Sequence, residues 1–506
     1  MKKITLLLGF LCVAFSYFAQ DSIYYSVEQK FERQTFSVSV LPASQNTYLS
    51  IEETSDKKPR LIFKTFSKEG KILSEFDHEI PLVNDNKIEI SHYHVLKDRI
   101  LIFLTSYDKK QEKQYAFCIT TTLNGESITQ PALLHSIQQN FKTTFGTVLS
   151  PDSTIILAYF EQNVQKRTDR LIGLRALNID LQLIWERELE LPYDNDIVQV
   201  NQFKIDNEGG IYMLSGRNPQ KNNVRVLRPQ GGRYVVFYYN DATNKLKEFD
   251  ISFKDKQVIS ALGLVNKNNE MIVAGYYSNN YSFSAAGTFL FKISPHGENV
   301  SVAAYMAFPK EFLTSFLKNR VVEKYPEIND LFLDHLIHTD EQKIILVGEI
   351  YYVSEQLNTD VTTGRTIIQN VYRFENLVAT QLATDGKILW ANEIDKAQSS
   401  ISSTDRCGYN VYYINSTLHF MFNDHPDNDK NIRNGDRHRI ETWAGSRIGV
   451  ISTATISDEG NLERKILTSS KLAGGLLIPA LSSDVVHDKS LLGISQGKEY
   501  KFCLVE

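Results

Sequence analysis

The residues best suited to chemistry crowd into one stretch, "FNDHPDNDKNIRNGDRHR" at 422–439. Asp424, Asp427, Asp429 and Asp436 are hard oxygen donors, and Asn428 and Asn431 add amide oxygens. Asp427, Asp429 and Asn431 alternate as ligands do when a turn wraps Ca²⁺. Counted from Asp427, position six is Ile432 where an EF-hand has Gly, and position twelve is His438 where it has Glu. A Ca²⁺ loop and a solvated polar loop therefore compete. His425 and His438 could ligate a transition metal, but 13 positions of loop separate them, and a shared metal is not expected.

A second group is cationic. Lys109, Lys110, Lys113, Lys166, Arg167 and Arg170 lead to Arg217, Lys221, Arg225, Arg228 and Arg233. Gathered on one side, they would attract an anionic glycan or an acidic protein; scattered, they only solubilise. Tyr276, Tyr277 and Tyr281 in "YYSNNYSFS", with Tyr351 and Tyr352, are candidate platforms for sugar rings or ordinary core aromatics. Asp334 and Glu349 fall on adjacent strand-like runs, where a glycosidase would want two carboxylates roughly 5 to 10 Å apart. HExxH and the Walker loop do not occur. The chain leans away from catalysis and toward binding.

Short runs rich in Val, Ile, Tyr, Phe and Thr must position these groups. One run returns eight times, at 46, 98, 153, 209, 269, 342, 416 and 489: a polar turn followed by a near-continuous apolar strand. Strands apolar on both faces imply small sheets stacked face to face. A second phrase explains the hairpins. "LNIDLQLIWEREL" at 177–189 returns as "LATDGKILWANEI" at 382–394, with Leu177/Leu382, Asp180/Asp385, Trp185/Trp390 and Glu188/Glu393 in register. The turn sets the strand direction and the Trp packs toward a neighbouring sheet. Each unit reads as four strands, A to D, which predicts an all-β propeller of about eight blades, seven being the alternative. The last unit, "GLLIPALS", "KSLLGISQ" and "KEYKFCLVE", is one strand short, and "IYYSVEQKF" near the start can complete it. Helical spacing of Phe312, Leu313, Phe316, Leu317 and Val321 predicts one helix inserted over 309–325 and packed on its own propeller.

"TDGKILW" resembles the G-x-x-x-W turn of quinoprotein-like and outer-membrane-assembly propellers, which have eight blades. That resemblance implies the fold and not a quinone, because only two units carry the Trp. "LIHTDEQKIILVGEIYY" and "LHFMFNDHPDNDKN" are similar to stretches of large uncharacterised secreted bacterial propeller proteins, a likeness that implies no activity.

The opening "MKKITLLLGFLCVAFSYFAQ" has a basic n-region, an apolar stretch and a small-residue exit, the layout of a signal peptide over 1–20. The competing reading is an uncleaved anchor. Cleavage would leave residues 21–506 as one propeller domain, outside the cytoplasm or in a periplasm, with no transmembrane segment. Loss of Lys2 and Lys3 takes the net charge from −5 to −7, which argues against nucleic-acid partners. Cys118, Cys407 and Cys503 are too few for a disulfide framework. The expectation is a binding or scaffolding propeller for a glycan or an envelope protein, with a propeller-fold polysaccharide hydrolase or lyase as the alternative. No cofactor is expected beyond the Ca²⁺ option. The longest B–C connections, 217–232, 353–366 and 424–446, mark the expected functional face.

Overall fold

The computed structural model describes residues 23–505 except 31–34, 45–46, 55–59, 81–87, 139–142, 162–168, 195–196, 218–232, 280–282, 360–365, 430–437, 443–448, 482, 487–488 and 497–498. The segment expected to be a signal peptide lies outside them, as do Arg225, Arg228, Tyr281, Asn431, Asp436 and the side chain of Asp429.

Eight antiparallel sheets follow one another along the chain, over 35–79, 88–138, 144–194, 198–251, 257–307, 331–394, 410–469 and 476–505. The first seven are built from four sequential strands, A to D. The eighth takes its outer strand from the other end of the chain: Ile23 pairs with Val505, Tyr24 with Leu504 and Tyr25 with Cys503. Pairing these termini covers two edges that would otherwise stand open. The protein is an eight-bladed β-propeller.

Packing closes the same ring. Eight apolar clusters each join two consecutive blades. One of them, Val38, Val40, Tyr48, Phe66, Tyr500 and Phe502, joins the eighth blade to the first. The B strands supply most of this burial because both of their faces meet a neighbour: Met271–Ser278 is buried along its whole length. At about 25 cal/mol per Å² of apolar surface, face-to-face stacking is the main stabilising term.

The two Trp phrases do what their spacing implies. Trp185 meets Tyr239 of the next blade edge-on, with centroids 6.2 Å apart. Trp390 reaches the next blade's C–D turn and donates its indole N–H to Asp458 O at 3.0 Å. Gly460 in that turn, at φ +86°, lies so close that an added Cβ would sit 2.7 Å from Trp390 Cγ. The A–B turns of the third to fifth blades are tied in series: Asn207 Oδ1 accepts from Asp152 N at 3.0 Å, and Asn269 Oδ1 accepts from Asn207 N at 3.0 Å.

The inserted helix is two helices, not one. α1 spans Lys310–Phe316 and α2 spans Asn319–Val322, with Leu317 extended between them at φ −117°, ψ 145°. Phe312, Leu313 and Val322 pack into the cluster between the fifth and sixth blades. Seating three apolar groups on a curved blade junction favours two short turns over one straight rod.

Candidate functional site

Charged side chains converge in the sixth blade, whose A strand carries a register shift like those of the first, second, fourth and fifth blades. Its A strand, Leu331–His338, shifts register between Leu333 and His335 as it pairs with the B strand, so Asp334 is the bulged residue. A bulge re-aims a side chain. Asp334 is turned to the central channel, where Tyr409 donates its hydroxyl to Asp334 Oδ2 at 2.9 Å. Glu349 lies nearby on the B strand and is buried. Lys396 follows the D strand, is 0 % exposed, and pairs with Glu349. Lys396 also donates to Gln398 Oε1 at 3.1 Å and Phe374 O at 3.3 Å. A buried ammonium is tolerated only with such partners around it.

These surroundings alter the acidities. Confinement among protein atoms, and then the negative charge of Glu349, push the Asp334 carboxyl up to about 7. Channel water reaches Asp334, but a narrow channel solvates a carboxylate less well than bulk solvent does. Burial raises Glu349 as well, and the Lys396 ammonium opposes that rise.

Two cavities flank the cluster. The channel cavity, about 650 Å³, is lined by A strands of the fourth to seventh blades, including Lys204, Asp334, His335, His338, Asp340 and Tyr412. The other, about 360 Å³, opens where the B–C and D–A connections emerge. Phe316, Leu317, Ile328 and Ile350 form its apolar wall, and Asn329, Glu375, Asn376, Lys396 and Arg439 its polar one. Arg439 comes from the seventh blade's B–C connection and meets Glu375 at 2.7 Å. The next two residues, Ile440–Glu441, pair in parallel with Gln398–Ser399, which fixes Arg439 over the cavity. Beyond it the B–C hairpin of the sixth blade runs on as an arm, since its B strand extends to Thr359 and its C strand starts at Thr366.

The residues singled out by sequence fall into different places. Asp334 and Glu349 do come together. Tyr276 and Tyr277, expected near the rim, are 0 % and 1 % exposed. They sit on a B strand buried on both faces, and Tyr276 packs on Phe308 with centroids 6.1 Å apart. Tyr351 is half-buried between Phe332 and Phe374. Tyr352 is exposed and donates to Glu375 Oε1 at 3.2 Å. Two members of the cationic sector lie near carboxylates. Arg217 lies over the Tyr193 ring at 4.5 Å and within 3.8 Å of Glu248, and Arg233 is 3.9 Å from Asp250.

The Ca²⁺ reading of Asp424 is corrected. Its carboxylate is 1 % exposed, pairs with Arg464, and accepts from Asn428 Nδ2 at 2.8 Å and Ser452 Oγ at 3.4 Å. Those bonds occupy the oxygens a cation would need. Asp427 is exposed beside His425 and His438, which the fold brings together across the loop. Cys118, Cys407 and Cys503 are free and buried. Lys396, Tyr409, Glu375 and Arg439 went unnoticed in the sequence. Only Lys396 carried a signal: it stands six residues after Trp390, where the matching position after Trp185 is Leu191.

No protein-family model matches the chain, and no curated protein does. Solved propeller structures do match. The propeller domain of the Trilobed protease from Pyrococcus furiosus, described as having an open velcro topology, is 9% identical with a TM-score of 0.35, covering 88% of this chain and 98% of that one. The polysaccharide lyase Uly1 is 10% identical with a TM-score of 0.39, covering 82% and 88%. A GH43 endo-arabinanase from Bacillus licheniformis is 11% identical with a TM-score of 0.24, covering 53% and 98%. These matches include hydrolases and a lyase at very low identity, and they carry no chemistry over to this chain.

Proposed function

We propose that this protein is an exported propeller that binds a carbohydrate unit in the cavity of about 360 Å³ beside Lys396. Its size falls at the low end of the range of roughly 300–1,000 Å³ usual for small-ligand sites. The single observation that carries the reading is the composition of the lining. Apolar Phe316, Leu317 and Ile350 line it together with Asn329, Asn376, Glu375 and Arg439. A sugar offers that combination, a C–H face and a ring of hydroxyls that suit planar polar side chains. The charges in the cavity are internally paired, which favours a neutral or weakly charged sugar over a strongly anionic one. The basic n-region and apolar stretch at residues 1–20 support export.

A polysaccharide hydrolase or lyase is the second reading. Asp334 favours it, because a carboxyl pushed up to about 7 beside a tyrosine is suited to general acid–base work. Against it, Asp334 lines the channel cavity while Lys396 lines the other, and Glu349 lines neither. The carboxylates do not converge on one space.

A glycan array with the chain from residue 21 tests the proposal, followed by calorimetry on Asn329→Ala and Phe316→Ala. Loss of at least about tenfold in affinity in each variant is expected, in line with roughly 1–3 kcal/mol for an unmade contact. An empty array, or hits indifferent to both substitutions, would overturn it. New reducing ends or unsaturated products from the array's positive glycans would transfer the assignment to the catalytic reading.

A further inference from the structure

We propose that His425, Asp427 and His438 form a binding site for a divalent first-row transition metal of the Zn²⁺ type. One potential ligand atom from each lies within 4.8 Å of the others. The two imidazoles face each other with centroids 5.0 Å apart and an interplanar angle of 29°. Asp427 Oδ2 is 3.5 Å from His425 Nδ1. Two imidazoles and one carboxylate are the donor set of an open zinc centre, with a fourth position left for water.

Thirteen positions of chain separate the histidines, so bringing them together carries a modest loop-closure cost. Here the cost is met by other residues. Asn428, 3 % exposed, clamps the backbone of His438 with two bonds: His438 N donates to Asn428 Oδ1 at 2.9 Å, and Asn428 Nδ2 donates to His438 O at 2.8 Å. Asn428 is itself held by Asp424 Oδ1 at 2.8 Å, and the same oxygen accepts from His425 N at 2.8 Å. The Arg464–Asp424 pair therefore anchors both histidines through one carboxylate. Asp427 N donates to His425 Nδ1 at 3.2 Å, a bond that an ion ligated at that nitrogen would replace. The side chains are half-buried or exposed, so an ion can enter from solvent.

The donor set decides against Ca²⁺, which takes six to eight oxygens, whereas imidazole suits Zn²⁺, Co²⁺, Ni²⁺ or Cu²⁺. A bound ion would cross-link the Pro426–Asp429 turn to the residue before Arg439, and so stiffen one wall of the cavity. The site itself does not depend on what that cavity binds.

Calorimetry with ZnCl₂ on tag-free chain from residue 21, stripped with chelator, is the test. One equivalent should bind, and cobalt should give visible d–d bands at the same stoichiometry. His425→Ala and His438→Ala should each weaken Zn²⁺ by at least about tenfold, and the double variant should lose the cobalt bands. Both side chains lie outside the apolar clusters, so melting in chelator should be unchanged. Excess CaCl₂ should not displace Zn²⁺. The proposal falls if the unmodified chain gives no heat, if the double variant binds equally well, or if Ca²⁺ competes.

Discussion

The third and sixth blades share the same Leu–Asp–Trp–Glu phrase and put it to different uses. In the third blade, Leu177 pairs with Ile156, and in the sixth Leu382 pairs with Ile344. Five residues beyond those partners stand Glu161 and Glu349, and six beyond the two tryptophans stand Leu191 and Lys396. The third blade's A strand pairs with its neighbour without a shift, while the sixth inserts Asp334 as a bulge. Leu191 is fully buried in the apolar junction with the fourth blade. Lys396 is as deeply buried at the matching position but needs Glu349, Gln398 and a carbonyl to stay there. The scaffold is the same, and one Leu-to-Lys difference places a charge where the third blade has a packing contact. Replacing a buried ion pair by apolar residues is often neutral or stabilising, so the Lys396–Glu349 pair is not itself a source of extra stability.

That contrast is broken most severely by removing one partner. Lys396→Ala leaves Glu349 buried without its cation and should cost about 3–5 kcal/mol. The midpoint of guanidinium unfolding measures it. Lys396→Leu combined with Glu349→Gln should recover most of the loss, because the sixth blade then resembles the third. A double variant no better than Lys396→Ala would mean the pair is not what holds this junction.

The tryptophans should behave alike on truncation and differently on conservative change. Trp185→Ala and Trp390→Ala each remove a ring seated on the next blade, at about 3 kcal/mol apiece. Trp390→Phe also removes the N–H bonded to Asp458 O and should cost about 1 kcal/mol more than ring replacement alone. Equal unfolding midpoints for Trp390→Phe and the parent chain would remove that bond from the account.

The ring was legible because it repeats. Eight polar-turn-plus-apolar-strand units fixed the blades, and the spare strand at 23–25 fixed the closure, since a three-stranded last blade demands a partner. The site was legible only in part. Asp334 and Glu349 stood on neighbouring strands, so strand order alone could pair them. Glu375 stands on the sixth blade's C strand while Tyr409 and Arg439 arrive from two separate connections, and no local spacing brings them together. Tyr276 and Tyr277 misled because a tyrosine beside a polar loop has the same neighbours in sequence whether it points outward or between blades. His425 and His438 misled in the opposite direction: loop length argued against their meeting, and the Asn428 clamp that reverses this is a tertiary feature.

The finest test of the contrast is acid–base. Confinement, with Glu349 adding to it, raises Asp334 from an ordinary value of 3.8 to about 7, while Tyr409 and Lys396 pull the other way. The folded chain therefore holds this proton more tightly than the unfolded chain does. The stabilisation is complete below the unfolded value and is lost as pH rises through about 7. Asp334→Asn carries no charge to confine at any pH. It should melt with the parent near pH 4, above it at pH 8, and with a shallower slope between. The third blade's A strand pairs without a shift and has no bulged carboxylate at the matching step. A parent chain whose melting temperature changes between pH 5 and 8 no differently from that of Asp334→Asn would mean channel water solvates the carboxylate fully. The sixth blade would then differ from the third only in its Lys396–Glu349 pair.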